Sequence, residues 1–316
     1  MNRFLSQALD RLAVSFAAAR MPLWDGRDLR LDDAERLLQN FHPRLEKSAP
    51  AKIEFDGNVR FRFPSPRPTP YSVNNIVPGR FFRCGDRWQT KPLVLLLHGW
   101  NDSLNHHFHF PRHAQRLNAA GFNAATLQLP WQFDRRPREL GLWGNFLTAD
   151  ILRTAEGALQ ALADISAFLD WARAQGCPFV GLWGISLGGW LSGLTACADA
   201  QIDGAVLTVP LVRVDRLVNE VKFCESIRRV LADRPLNLQN LNLTAHRPMI
   251  DKSKIILIES EYDLFVPKET VEELWQSWQQ PEIWRFPNGH ISILYARDLP
   301  GRVVRWFAAK AAHAGK

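Results

Sequence analysis

The chain has 316 residues, enough for one large domain or two modest ones with a sizeable core. Hydrophobic residues make up 46% and charged residues 22%, a balance that excludes a mainly disordered chain. The net charge of +7 comes from scattered arginines rather than long basic runs, which argues against nucleic-acid binding, and no stretch approaches the ~20 apolar residues of a membrane span.

Residues 1–50 read as an N-terminal helical extension. Phe4, Leu5, Leu9, Leu12 and Phe16 recur at helical spacing. Asp10 and Arg11 interrupt the apolar stretch of roughly 7–15 residues that a signal peptide needs. The expectation is an amphipathic helix packed on the main domain, with contact to a membrane surface as the alternative. Asp32 followed by Glu35 resembles a capping box, and Ala34, Leu37, Leu38 and Phe41 supply an apolar face.

From residue 51 to 316 the pattern is that of a second unit. KIEF and VRFRF alternate, PSPRPTP is a proline-rich connection, and IVPGRFFRC predicts a further strand, together a small antiparallel region. PLVLLLH is a continuous apolar run, as a strand buried on both faces requires. A helix is expected from Pro111, then the strand FNAATLQLP. Ile151, Ala155, Ala158, Leu162, Ile165, Leu169 and Ala172 step by four and three along a helix that Gly176 closes. The strand PFVGLW, the helix LGGWLSGLTACADA and the strands AVLTVPLV and KIILIES follow. A helix opened by Pro267, the strand EIWRF and a final helix over 291–313 complete the chain. Such alternation predicts an α/β fold, a mostly parallel sheet with helices on both faces. Residues 213–253 exceed a plain crossover, and the helical stretch within them predicts a small lid. Cys84, Cys177, Cys197 and Cys224 fit no zinc spacing, so reduced, packed thiols and a cytoplasmic location are expected.

Ligands bind such sheets at the carboxyl ends of the strands. There FVGLWGISLGGW places Ser186 between a buried strand and a helix, with Gly184 and Gly188 two residues either side. A turn this sharp brings the flanking residues together, so side chains would clash. A serine hydroxyl needs a base, and the base an orienting acid. Asp263 falls just past KIILIES, and His290 follows EIWRF in PNGHIS. Asp215, after AVLTVPLV, is the alternative acid. His106, His107, His109 and His113 crowd one loop and helix start, but no HExxH pattern or acidic partner accompanies them, so a polar loop is preferred to a metal site. His98 reads as structural. Trp100, Trp131, Phe133, Trp143 and Phe146 lie on loops that should rim a pocket, with Trp131 and Trp143 named as substrate-pocket residues. Arg135, Arg136 and Arg138 read as a solvated loop, with an anionic substrate as the alternative.

The order Ser186, Asp263, His290 resembles that of the α/β-hydrolase superfamily. GISLG resembles its nucleophile elbow, LFVP the sequel to its acid, NGH its histidine loop, and LLLHGW the strand and turn that supply the first oxyanion amide. The resemblance covers roughly residues 90–315 and leaves residues 1–50 outside. It implies an α/β-hydrolase fold with Ser186 as nucleophile, His290 as general acid/base and Asp263 as orienting acid. It also implies an oxyanion hole made by the backbone amides of Trp100 and Leu187. HGWN stands where one subgroup has HGGG, which puts the Trp100 indole near the acyl site. The implied activity is a serine hydrolase that cleaves carboxylic esters through an acyl-enzyme, without metal or cofactor, on a small-molecule ester with an apolar or aromatic group. Thioesterase, lactonase and amidase or peptidase activities share this triad. A non-catalytic binding protein of the same fold is the alternative outside enzymes.

Overall fold

The computed structural model describes residues 2–23, 25–44 and 50–314. Two helices come first, α1 (Arg3–Ala18) and α2 (Leu31–Gln39). Residues 45–49 of the expected extension lie outside the described residues. The predicted amphipathic helix forms, but it docks by its opposite side. Phe4, Leu5, Leu12 and Phe16 are exposed, whereas Ser6, Asp10 and Ala17 are buried. The capping box is also overturned. Arg30, in the left-handed conformation (φ 48°, ψ 49°), precedes α2 without a side-chain cap, and Asp32 and Glu35 both turn to Arg234. Two exposed carboxylates find a distant guanidinium, which local spacing cannot foresee.

Three strands follow, β1 (Glu54–Asp56), β2 (Arg60–Pro64) and β3 (Ile76–Phe82). Alternation in β2 buries Phe61 and Phe63 and exposes Arg60 and Arg62. The chain then alternates through β4 (Leu93–Leu97), α3 (Phe110–Ala119), β5 (Asn123–Leu127), α4 (Ile151–Ala174), β6 (Val180–Ile185), α5 (Leu187–Ala196) and β7 (Gly204–Thr208). Helices α6 (Val214–Glu220) and α7 (Glu225–Asp233) lie within the long connection to β8 (Ile255–Ser260). The last elements are α8 (Lys268–Ser277), β9 (Glu282–Phe286) and α9 (Leu299–Ala314).

Among the described residues, all strands join one sheet in the order β1-β2-β3-β5-β4-β6-β7-β8-β9. The strands from β4 to β9 run parallel, and β1 to β3 extend the sheet antiparallel at one edge. Successive side chains of a strand point to opposite faces, so β4 serves two cores. Leu93, Leu95 and Leu97 meet Ala158, Leu162 and Ile165 of α4 on one side. Val94 and Leu96 meet Leu117 of α3 and Val303 and Phe307 of α9 on the other. Leu38 and Phe41 place α2 over α4 in the first of these cores.

Two boundaries differ from expectation. The last helix begins at Leu299, not 291, because Asn288 and Gly289 tie Ser292 into a tight loop that ends in a 3-10 turn over Ser292–Tyr295. A π-helical turn, Asn105–His109, leads into α3 ahead of Pro111. Arg135 is also not a solvated loop residue. It is fully buried, and its guanidinium donates to Asp164 at 2.8 Å and to the carbonyls of Asn74 and Gln128. No periodicity announces a buried ion pair made between a loop and a helix.

Candidate active site

The strand order reverses around β4, whose neighbours are β5 and β6, and a crevice opens at their carboxyl ends. β6 delivers Ser186 there. Its backbone is strained, with φ 55° and ψ −113°. The flanking glycines are steric necessities. A Cβ on Gly184 would stand 2.1 Å from the Gly188 carbonyl oxygen, and one on Gly188 would stand 2.1 Å from that of Leu97. The Ser186 N–H donates to the Thr208 carbonyl at 2.9 Å, and the Trp190 N–H donates to the Ser186 carbonyl at 2.9 Å, which anchors the turn at both ends.

His290, on the loop after β9, faces Ser186. Its Nε2 lies 2.9 Å from Ser186 Oγ, and its Nδ1 lies 2.7 Å from Asp263 Oδ2. An ionised carboxylate can only accept, so Nδ1 carries the proton and Nε2 is left to accept from the serine hydroxyl. The other oxygen of Asp263 accepts from the N–H groups of Phe265 and Val266, at 2.8 and 2.7 Å. Burial works to depress the His290 pKa, but the carboxylates of Asp263, Asp10 and Asp102 outweigh it and leave the pKa raised. The alternative acid, Asp215, lies on α6 and pairs with Arg213 at 2.8 Å instead.

The turn after β4 closes the other side of the crevice. A Cβ on Gly99 would stand 3.5 Å from the Cβ of Ser186, so Trp100 follows directly beside the serine. Leu187 opens α5, and its N–H belongs to the first helical turn, which has no intrahelical partner. His98 stays out of this chemistry. Its Nδ1–H donates to the Gly99 carbonyl at 2.8 Å and its Nε2 accepts from the Leu129 N–H at 3.2 Å, so it ties the β4 loop to the β5 loop.

A cavity of about 230 Å³ opens over Ser186 and His290. Trp100, Phe146, Trp190, Leu211, Leu217 and Phe223 give it an apolar wall, and Trp100 stacks on Phe223 at 5.5 Å. Val214, Leu217 and Phe223 come from the segment expected to form a lid, and Ala13, Phe16 and Ala17 come from α1. Trp131 and Trp143 are not in the wall. Trp131 is buried against Tyr71 and beneath the Arg153 guanidinium, and Trp143 is buried beneath that of Arg27. The one connection between β5 and α4 that carries both presents Phe146 and Leu147 to the cavity and turns these indoles into the core. The sequence shows Phe16 only as part of an apolar stripe, and Ala13 and Ala17 carry no chemical signature, so the contribution of α1 to the cavity was not foreseen.

In the histidine-rich stretch, two of the four side chains are packed against aromatic rings. His106 stacks on Phe133 at 5.1 Å and His113 on Trp183 at 4.8 Å. Burial drives their pKa values down to about 2 and about 3 and keeps both neutral. Among the described residues, no group of three or more histidine, cysteine, aspartate or glutamate side chains could hold a metal ion, and no helix is long and apolar enough to cross a membrane.

Comparison with known proteins agrees with this fold. Two curated proteins of Mycobacterium tuberculosis, both described only as uncharacterized, are 31% identical over 179 residues. The match covers 52% of this chain and 41% of theirs, so the chain spans about two fifths of the length of these relatives. An acetyl xylan esterase from Paenibacillus superposes with a TM-score of 0.59 at 15% identity, over 92% of this chain and 98% of its own. An esterase of Pyrococcus furiosus superposes with a TM-score of 0.55 at 15% identity, over 84% and 97%. At such identities the likeness establishes the fold. The profile of the alpha/beta hydrolase family matches residues 94–314, well over half of the sequence, and the chain belongs to that family.

Proposed function

We propose that the protein is a serine hydrolase that cleaves carboxylic esters of small molecules. The observation that carries this reading is the position of His290, within hydrogen-bond reach of Ser186 on one side and Asp263 on the other, at the floor of an apolar cavity. His290 Nε2 takes the hydroxyl proton as Ser186 Oγ attacks the ester carbonyl. The Trp100 and Leu187 amides hold the developing oxyanion. The protonated His290 then gives its proton to the leaving alcohol, and an acyl-enzyme remains. Water, deprotonated by His290, attacks the acyl carbon and releases the acid and the free serine. No metal or organic cofactor is required by these steps.

The wall of Trp100, Phe146, Trp190, Leu217 and Phe223 favours an apolar or aromatic acyl or alcohol group. The two solved neighbours described above are esterases by name, which supports an ester substrate, and the same triad could serve thioesters, lactones and amides. The segment 213–253 would cover a bound substrate. Four free thiols support a cytoplasmic location. The test is intact-mass analysis after exposure to a fluorophosphonate, on wild type and Ser186→Ala, followed by a panel of p-nitrophenyl esters, thioesters, lactones and anilides. One adduct on the wild type alone, with esters turned over fastest, is the expected result. Folded wild type that takes no adduct and turns over nothing would favour a binding protein of the same fold.

A further inference from the structure

Asp10 lies on α1, outside the family match, and is fully buried. A lone carboxylate there requires partners, and it has three. Its Oδ2 accepts from the N–H of His290 at 2.8 Å and of Leu264 at 3.0 Å, and its Oδ1 accepts from that of Ile291 at 3.0 Å. Leu264 directly follows Asp263. One side chain therefore clamps the loop of the histidine to the loop of its acid. The fit is close. A Cβ on Gly289 would stand 2.7 Å from the Asp10 carboxylate, so glycine at that position is what lets the helix approach. A second polar contact lies one turn earlier, between Ser6 and Ser292 at 3.2 Å. These contacts explain why α1 turns the side that carries Ser6 and Asp10, and with them Ala17, inward and leaves Phe4, Leu5 and Leu12 exposed.

Resting on the triad reading above, we propose that Asp10 is a positioning residue for the catalytic histidine. It fixes the His290 backbone relative to Asp263 and adds a second negative charge beside the imidazolium formed during the reaction. The N-terminal helix is then part of the catalytic apparatus rather than an appendage to it. A carboxylate that accepts only from backbone amides has no partner of its own to orient, so its effect falls on the loops it holds. The charged groups that face His290 are Asp263, Asp10 and Asp102, and only Asp10 comes from outside the family's portion of the chain.

The test compares fluorophosphonate labelling rates against pH for wild type, Ser186→Ala, Asp10→Asn and Asp10→Glu, each checked for folding by circular dichroism. Asp10→Asn turns an amide toward a donor and removes the charge. Its rate should fall by up to roughly 10²-fold, as misplaced catalytic groups do, and the midpoint of its acid limb should move to lower pH. Asp10→Glu keeps the charge, so it should lose rate while its midpoint stays near that of wild type. A folded Asp10→Asn protein with the wild-type rate and midpoint would overturn the proposal, as would a loss explained wholly by unfolded protein with an unmoved midpoint. If Asp10→Asn does not fold, Asp10→Glu decides. If neither folds, the role is structural and the proposal falls. Wild type that takes no label, as inert as Ser186→Ala, would instead remove the triad reading itself.

Discussion

Asp263 meets His290 with one carboxylate oxygen and holds its own loop with the other. That division of labour makes the acid hard to replace. In Asp263→Asn the carbonyl oxygen is claimed by the Phe265 and Val266 amides, so the NH₂ group faces His290 Nδ1. The imidazole must then carry its proton on Nε2, the wrong nitrogen for accepting from Ser186. The kcat on p-nitrophenyl butyrate should fall by about 10⁴-fold, the loss expected from a wrong tautomer. Asp215→Asn weakens the pair with Arg213 and a local bond from the Arg216 N–H, both away from His290, and should change kcat by less than about threefold, within the range of a partly exposed ion pair. A larger loss from Asp215→Asn than from Asp263→Asn would reverse the assignment.

The pH dependence of kcat/KM follows from the charge around His290. The imidazole must be neutral to accept the serine proton, and the pKa is raised because nearby carboxylates outweigh burial. Activity is therefore lost as pH falls, and the midpoint of that loss should lie above the ordinary histidine value of about 6.5. A profile for an ester whose hydrolysis is followed by pH-stat would read this directly. A midpoint well below 6.5 would mean that burial dominates.

Acid should also weaken the fold, through different histidines. Burial holds His98, His106 and His113 neutral, with pKa values of about 4, about 2 and about 3. Below about pH 6.5 the unfolded chain binds protons at these sites that the folded chain refuses. Their contribution is intact above that pH and drains away as pH falls toward those values. His290 has the opposite sign, since its raised pKa adds stability in acid that is lost as pH rises, and so do the carboxyls of Glu259, Asp10, Glu156 and Asp164, which burial raises. His107, His109 and His246, whose pKa values burial lowers, side with the first three. The Tm measured by calorimetry should decline between about pH 6.5 and 4. His113→Phe keeps a ring on Trp183 and removes one titrating group, so it should flatten that decline.

Arg135 and Asp164 make the most consequential buried pair away from the site. Arg135→Ala would leave Asp164 in the core with only Ser65 as a partner, at 2.6 Å. The expected cost is about 3–5 kcal/mol in urea unfolding. Arg135→Lys should not restore it, because a single ammonium cannot serve Asp164, Asn74 and Gln128 together.

The sequence by itself determined the parts governed by local rules. Continuous apolar runs such as LVLLL and VGLWGI mark strands buried on both faces, and the steps of four and three from Ile151 mark α4. Gly184 and Gly188 betray the tight turn at Ser186 because only glycine fits there, and the strand ends bring Ser186, Asp263 and His290 to one edge because parallel strands share a direction. What the tertiary structure alone decided depends on partners far apart in sequence. The orientation of α1 is set by amides some 250 to 280 residues away, which outweigh the apolar stripe of Phe4, Leu12 and Phe16. Asp32 and Glu35 leave their own helix end for Arg234, and Arg135 leaves its loop surface for Asp164. Trp131 and Trp143 turn inward while Phe146 takes the cavity wall. In each case a polar or aromatic side chain had several satisfactory environments, and only the packed fold selected one.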